Sequence, residues 1–243
     1  MKNKTKLFCL PYAGGSAHQI YRLWKDYLDE SIELHPLELA GRGSRVGDRL
    51  YRNLEEAIED VYKQMKDHIL TTDYAFFGHS MGAILGYKVL QKIDELKLPS
   101  PVHAFFSGRR APHCKSRKRK PYAEMTSIEL EDELKAMGGT PPAFFEYPEL
   151  KKVFMPIIKG DLAIADTLLD RSEIKPFNYD ISLFLGKDED VIPEEAKEWK
   201  ICTEQKFSIQ YFPGGHFFLN SQIKGIVGTI NRRITKQFYE VKI

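Results

Sequence analysis

Apolar positions in this chain fall into two rhythms that alternate along most of its length. Short continuous runs come at Leu7-Phe8-Cys9-Leu10, Ile32 to Leu37, Tyr74-Ala75-Phe76-Phe77, Val102 to Ser107, Ile181 to Leu185 and Phe207 to Phe212. Runs this short, closed by turn residues such as Pro11 or Gly78, predict buried strands. Between them the apolar residues recur at helical steps. Leu54, Ala57, Ile58, Val61, Met65 and Ile69 predict an amphipathic helix over Leu54 to Ile69. Gln19 to Leu28, Ala83 to Leu98 and Ile223 to Val241 read as further helices. Strands alternating with helices imply an α/β fold, a mostly parallel central sheet with helices on both faces.

One region breaks the alternation. Between Pro112 and Pro176 no strand is evident, and the pattern predicts short helices over Ser127 to Met137, Pro148 to Ile158 and Leu162 to Leu169. The expected organisation is a core made of 1–111 and 177–243, interrupted by a helical lid insertion over 112–176. Such an insertion belongs over the sheet's carboxyl edge, where open α/β folds bind ligands.

Composition narrows the class. With 243 residues, 42% hydrophobic and 29% charged, the chain suits one domain carrying an insertion. A net charge of +2 gives no global attraction to nucleic acid. The thiols Cys9, Cys114 and Cys202 are too few and scattered for a disulfide framework or a metal site, which points to a reducing cytoplasm. Met1 to Lys6 is basic, but the following apolar run is broken by Pro11, Gly14 and Gly15, so no secretion signal is expected. No apolar stretch is long enough to span a membrane.

The candidate chemistry lies in Gly78-His79-Ser80-Met81-Gly82. A G-x-S-x-G between a strand and a helix is the setting of a nucleophile elbow, with Ser80 as the nucleophile. A serine hydroxyl needs a base, and His216 follows the last strand in Pro213-Gly214-Gly215-His216. The acid should follow a strand and precede His216. Asp188, Glu189 and Asp190 all do, and the run alone does not choose among them. The oxyanion of an attacked carbonyl needs N–H donors. Met81, directly after the nucleophile, and Ala13, in the loop after the first strand, are the candidates. His79 flanks Ser80 and is expected to pack. His18, His35, His68, His103 and His113 fit no catalytic pattern.

In that order the motifs resemble the type II thioesterases of nonribosomal peptide and polyketide synthesis, stand-alone α/β-hydrolases. Leu10-Pro11-Tyr12-Ala13-Gly14-Gly15-Ser16-Ala17 resembles the family's opening loop. Ala40-Gly41-Arg42-Gly43 is similar to its P-G-R-G turn, with Ala40 in place of the proline. Met137-Gly138-Gly139-Thr140-Pro141 and the stretch from Pro156 to Asp161-Leu162 resemble its lid motifs, with Lys159-Gly160 where the family has Arg-Ala. Trp199 and Gly214-Gly215-His216-Phe217-Phe218-Leu219 complete the set. The family's G-x-x-D acid motif, counted from Gly186, puts Glu189 first, with Asp190 and Asp188 as alternatives.

The resemblance implies hydrolysis of acyl thioesters on the phosphopantetheine arm of carrier proteins, an editing role in the synthesis of antibiotic-like products. It implies no cofactor of the enzyme's own, and a monomer is expected. The basic run from Arg109 to Lys120, with the lid, is a candidate contact for an acidic carrier protein. The lid's Met137, Phe144, Phe145, Phe154, Met155 and Ile157 are candidates for an acyl channel. A general carboxylesterase or lipase shares the same residues and is the alternative. A catalytically dead binding module is a third reading, against which the full residue set stands.

Overall fold

Six parallel strands form one sheet in the order β2-β1-β3-β4-β5-β6 in the computed structural model, which describes residues 4–115 and 121–240. They are β1 (Thr5–Leu10), β2 (Ile32–Pro36), β3 (Tyr74–His79), β4 (His103–Ser107), β5 (Ile181–Gly186) and β6 (Phe207–Phe212). Every residue of β3, β4 and β5 is buried. Burial on both faces explains why these strands read as continuous apolar runs rather than alternating ones.

The two-residue period of the strands divides the core. Phe8, Leu10, Phe76, Phe106, Leu183 and Leu185 belong to one apolar cluster. Leu7, Cys9, Ala75, Phe77, Phe105 and Phe184 belong to the other. The helices are α1 (Ala17–Tyr21), α2 (Leu54–Ile69), α3 (Met81–Glu95), α4 (Ser127–Met137), α5 (Pro142–Glu146), α6 (Pro148–Ala165), α7 (Pro193–Lys197), α8 (Phe218–Ser221) and α9 (Ile223–Glu240). The first cluster is completed by α2 and α3, the second by α1 and α9. Helices therefore cover both faces, as the pattern predicts.

The Leu54 to Ile69 helix has the expected bounds because its start is capped. Asn53 Oδ1 accepts the Glu56 N–H at 2.9 Å, and Glu55 and Glu56 favour the positive end of the helix. Three expectations need correction. Gln19 to Leu28 is not one helix: α1 passes into a 3₁₀ turn over Arg22–Asp26. A three-residue repeat stacks positions i and i+3, and it sets Tyr21 against Trp24 with ring centroids 4.8 Å apart in the core. The pieces read as Pro148 to Ile158 and Leu162 to Leu169 join in one helix, α6, which runs through Pro156 and stops at Ala165. Proline removes one backbone bond, and a buried face of Ile157, Ile158, Leu162, Ile164 and Ala165 carries the helix across it. A short helix, α5, lies between α4 and α6, where the pattern predicts none. Pro142 opens α5 at a position that needs no N–H donor. The helix read to Val241 is described to Glu240, and Val241 lies outside the described residues.

Chain order positions the site. From β1 the chain steps outward to β2, then returns across β1 to β3. In this strand order the chain leaves β1 and β3 toward opposite sides of the sheet, and the carboxyl edge at such a switch is where open α/β sheets bind ligands. Helices α4 to α6 lie between β4 and β5 in sequence and reach this edge. Ile158 of α6 sits over Gly14, and Gly139 packs under the Phe217 ring. Among the described residues no helix is long and apolar enough to cross a membrane.

Candidate active site

Ser80 stands between the last residue of β3 and the first of α3, at φ 56° and ψ −112°. A non-glycine residue in this region costs roughly 1–3 kcal/mol and persists only where its surroundings hold it. Here the Ser80 N–H donates to Ser107 O at 2.8 Å, and the Ala83 N–H donates to Ser80 O at 3.1 Å. The flanking glycines are required by close backbone approach. A Cβ on Gly82 would lie 2.6 Å from both Leu10 O and Pro11 O, and one on Gly78 would strike the Gly82 carbonyl. The elbow is thereby pressed directly against the start of the β1 loop.

His216 leaves β6 through Pro213-Gly214-Gly215 and brings Nε2 to 2.9 Å from Ser80 Oγ. Its Nδ1 is 2.6 Å from Glu189 Oε1. A carboxylate only accepts, so Nδ1 carries the hydrogen and Nε2 is left as an acceptor for the serine hydroxyl. Glu189 is 3% exposed, and its Oε2 accepts the Gly186 N–H at 2.8 Å. The acid loop is joined to the histidine loop by Lys187 N–H to Phe212 O at 2.8 Å and Asp188 N–H to Gly214 O at 3.1 Å. Of the three adjacent acids, the structure brings Glu189 to the imidazole. Asp188 is exposed. Asp190 is turned toward Arg110, with its carboxylate 3.0 Å from the guanidinium.

His79 packs, buried, beneath the base. Its ring is 5.1 Å from that of His216, and Nδ1 is 2.8 Å from Ser107 Oγ. Burial, then the neighbouring His216, holds its pKa well below the ordinary histidine value, so the ring is neutral. Met81 is the first residue of α3, where a backbone N–H has no partner inside the helix. Ala13 lies in the β1 loop and is packed against the same apolar cluster as Met81. That loop turns through Gly15 N–H to Tyr12 O at 3.0 Å.

Two buried carboxylates brace the β1 loop, and neither was given a role by the sequence. Asp161 of α6 accepts the Gly14 N–H at 2.7 Å and forms a two-armed pair with Arg42, one arm being Nη2 to Oδ1 at 2.8 Å. Glu38 accepts from Ser16 Oγ at 2.6 Å and from the Ala17 N–H at 3.0 Å. The signal for the first was the occurrence of Arg42 and Asp161 in two motifs that carry no catalytic group.

The basic run divides. Arg109 donates to Ala165 O and Thr167 O at 2.8 and 2.9 Å, and Arg110 to Glu195 Oε2 at 2.8 Å. These two arginines tie the end of α6 and the acid loop to the end of β4. Lys115 is exposed, and Ser116 to Lys120 lie outside the described residues. Of the candidate channel residues, Phe144 and Ile157 are buried, Met137, Phe145 and Met155 are half-buried, and Phe154 is exposed.

Comparison with known proteins places this geometry in a family. A model of the thioesterase domain matches residues 5–234. The gramicidin S biosynthesis protein GrsT of Aneurinibacillus migulanus is 31% identical over 217 residues, covering 89% of this chain and 83% of that protein. The medium-chain S-acyl fatty acid synthase thioesterase of Homo sapiens is 32% identical, covering 88% and 80%. The crystal structure of ClbQ, from the colibactin NRPS/PKS pathway, superimposes with a TM-score of 0.88 at 33% identity, covering 96% of this chain and 98% of that one. On the span of the family match and the identity to these relatives, the chain belongs to the thioesterase domain family and is a hydrolase of thioesters.

Proposed function

We propose that this enzyme is a stand-alone type II thioesterase that hydrolyses acyl groups from the phosphopantetheine arm of carrier proteins, through an acyl-enzyme on Ser80. The observation that carries the proposal is the continuous chain from Glu189 Oε1 to His216 Nδ1 at 2.6 Å and from His216 Nε2 to Ser80 Oγ at 2.9 Å. Ser80 Oγ attacks the thioester carbonyl while its proton passes to His216 Nε2. Glu189 holds the tautomer and offsets the imidazolium charge. The N–H groups of Met81 and Ala13 receive the oxyanion. The C–S bond breaks and His216 gives its proton to the departing thiol. Water then attacks the ester, its proton passing to His216 and from there to Ser80 Oγ as the C–O bond breaks, which releases the free acid and restores Ser80. No step calls for a metal or cofactor.

The relatives support a synthase setting, GrsT through gramicidin S biosynthesis and ClbQ through an NRPS/PKS pathway. In that setting the enzyme clears misprimed or stalled acyl groups, as a monomer working in the cytoplasm. Helices α4 to α6 act as its lid, and the carrier protein docks beside them. A second reading is release of medium-chain fatty acids, favoured by the 32% identity to the human fatty acid synthase thioesterase.

Steady-state kinetics test the proposal, with acetyl, aminoacyl and medium-chain thioesters of one carrier protein set against matched p-nitrophenyl esters. We expect the carrier thioesters to be preferred in kcat/KM. A preference for the oxygen esters overturns the proposal in favour of a general carboxylesterase. Preference for the medium chain over acetyl and aminoacyl groups selects the second reading.

A further inference from the structure

The Arg42–Asp161 pair is nearly inaccessible, with side chains 4% and 3% exposed. It joins the turn after β2 to helix α6, across 119 residues of sequence. Removing two charges from water is costly, and a buried pair is often no more stable than apolar residues of the same size. Stability alone is therefore a weak reason for its presence. Its distinctive contribution is a charged acceptor aimed at one backbone N–H. Asp161 Oδ2 takes the Gly14 N–H at 2.7 Å, next to Ala13. Gly14 has φ +76°, in the left-handed region, so its orientation depends on what holds it. Ile158, one turn before Asp161 on the same face of α6, covers that glycine, leaving 3.0 Å to a Cβ built there. The far end of the loop is held by Glu38, and its near end by Gly82 against Leu10 and Pro11.

We propose that Asp161, held by Arg42, is a positioning residue for the reaction: it fixes Gly14, and so keeps the Ala13 N–H aimed at the oxyanion. The inference rests on the reading of Ala13 as an oxyanion donor. It makes α6, outside the sheet, part of the machinery that stabilises the transition state.

The test uses Asp161→Leu and the double variant Arg42→Met/Asp161→Leu, which removes both charges and so leaves no buried ion unpaired. Activity is measured on an acyl carrier-protein thioester and normalised to folded enzyme. Loss of one oxyanion donor costs on the order of 10²–10³ in turnover. We expect kcat to fall about 100-fold in both variants, with KM within about threefold of the parent. The midpoint of the pH–rate profile stays in place, because Glu189 and His216 are untouched. Turnover within about threefold of the parent in the folded variants overturns the positioning role. A crystal structure of the parent enzyme with an acyl trifluoromethyl ketone separates the two ideas. An adduct oxygen away from the Ala13 N–H removes the oxyanion reading itself. An oxygen on that N–H, with undiminished turnover in the variants, removes only the role of Asp161.

Discussion

Glu189 and His216 meet at 2.6 Å, whereas Asp190, the next residue in the chain, is turned away to Arg110. A single step along the loop thus separates a carboxylate that is 3% exposed from one that is 41% exposed. Only the first can hold an imidazole tautomer in a water-poor site. By analogy with the loss of the acid in a serine protease, Glu189→Gln lowers kcat on the order of 10⁴-fold. Asp188→Asn and Asp190→Asn stay within a few-fold of the parent, because exposed pairs contribute little. Turnover numbers for the three variants on one thioester check this. A large loss at Asp190→Asn with a small one at Glu189→Gln contradicts it.

The elbow depends on the absence of a side chain at Gly82. Gly82→Ala sets a methyl group 2.6 Å from two carbonyl oxygens of the main chain, which cannot swing aside as a side chain does. The expected cost is about 3 kcal/mol of stability, with turnover lost because Ser80 is displaced. Chemical denaturation and kinetics on the folded fraction measure both. A variant as stable and active as the parent refutes the close approach.

How much of this was legible in the sequence depended on how local the cause was. The α2 helix was readable in full because its apolar period lies within the segment itself. Ser80 was marked by Gly78 and Gly82, which close backbone approach requires, and His216 by Gly214, whose φ of +107° disfavours a side chain. Residue chemistry did not choose among the three adjacent carboxylates, which differ only in which way the loop turns them; the family's G-x-x-D spacing from Gly186 put Glu189 first, and Glu189 is the one at the imidazole. α6 was read as two helices because Gly160 is a local breaker, while the apolar face that overrides it packs on α3, distant in sequence. The contact of Arg42 with Asp161 had no local cause at all.

Two buried histidines make stability depend on pH. Burial pushes His103 down to about 3, and holds His79 well below its ordinary value. The unfolded chain binds a proton at each near pH 6.5, while the folded chain does not until far lower, about pH 3 for His103. Stability is therefore fully present above about pH 6.5 and falls as the pH drops below it, by about 1.4 kcal/mol per pH unit for each ring. Denaturation at pH 7.5 and 5.5 reads this above the range of most carboxylates. His103→Gln removes about half of the slope. A flat profile between those values argues that both rings titrate normally.

Trp199 anchors the acid side of the sheet. It is fully buried, stacks on Phe106 with centroids 4.5 Å apart, and donates from Nε1 to Arg109 O at 3.0 Å. Trp199→Ala is expected to cost about 4 kcal/mol. Equilibrium unfolding of the variant measures the loss, and a change below about 1 kcal/mol would mean that the ring is not packed as described.

The central claim is that Ser80 carries the acyl group between carrier protein and water. Rapid acid quenching after mixing the enzyme with an acyl-phosphopantetheinyl carrier protein, followed by peptide mass mapping, tests it most directly. The account predicts the acyl mass on the peptide containing Ser80, formed together with free carrier thiol, and neither product with Ser80→Ala. Hydrolysis of the thioester by Ser80→Ala at the parent rate would contradict it.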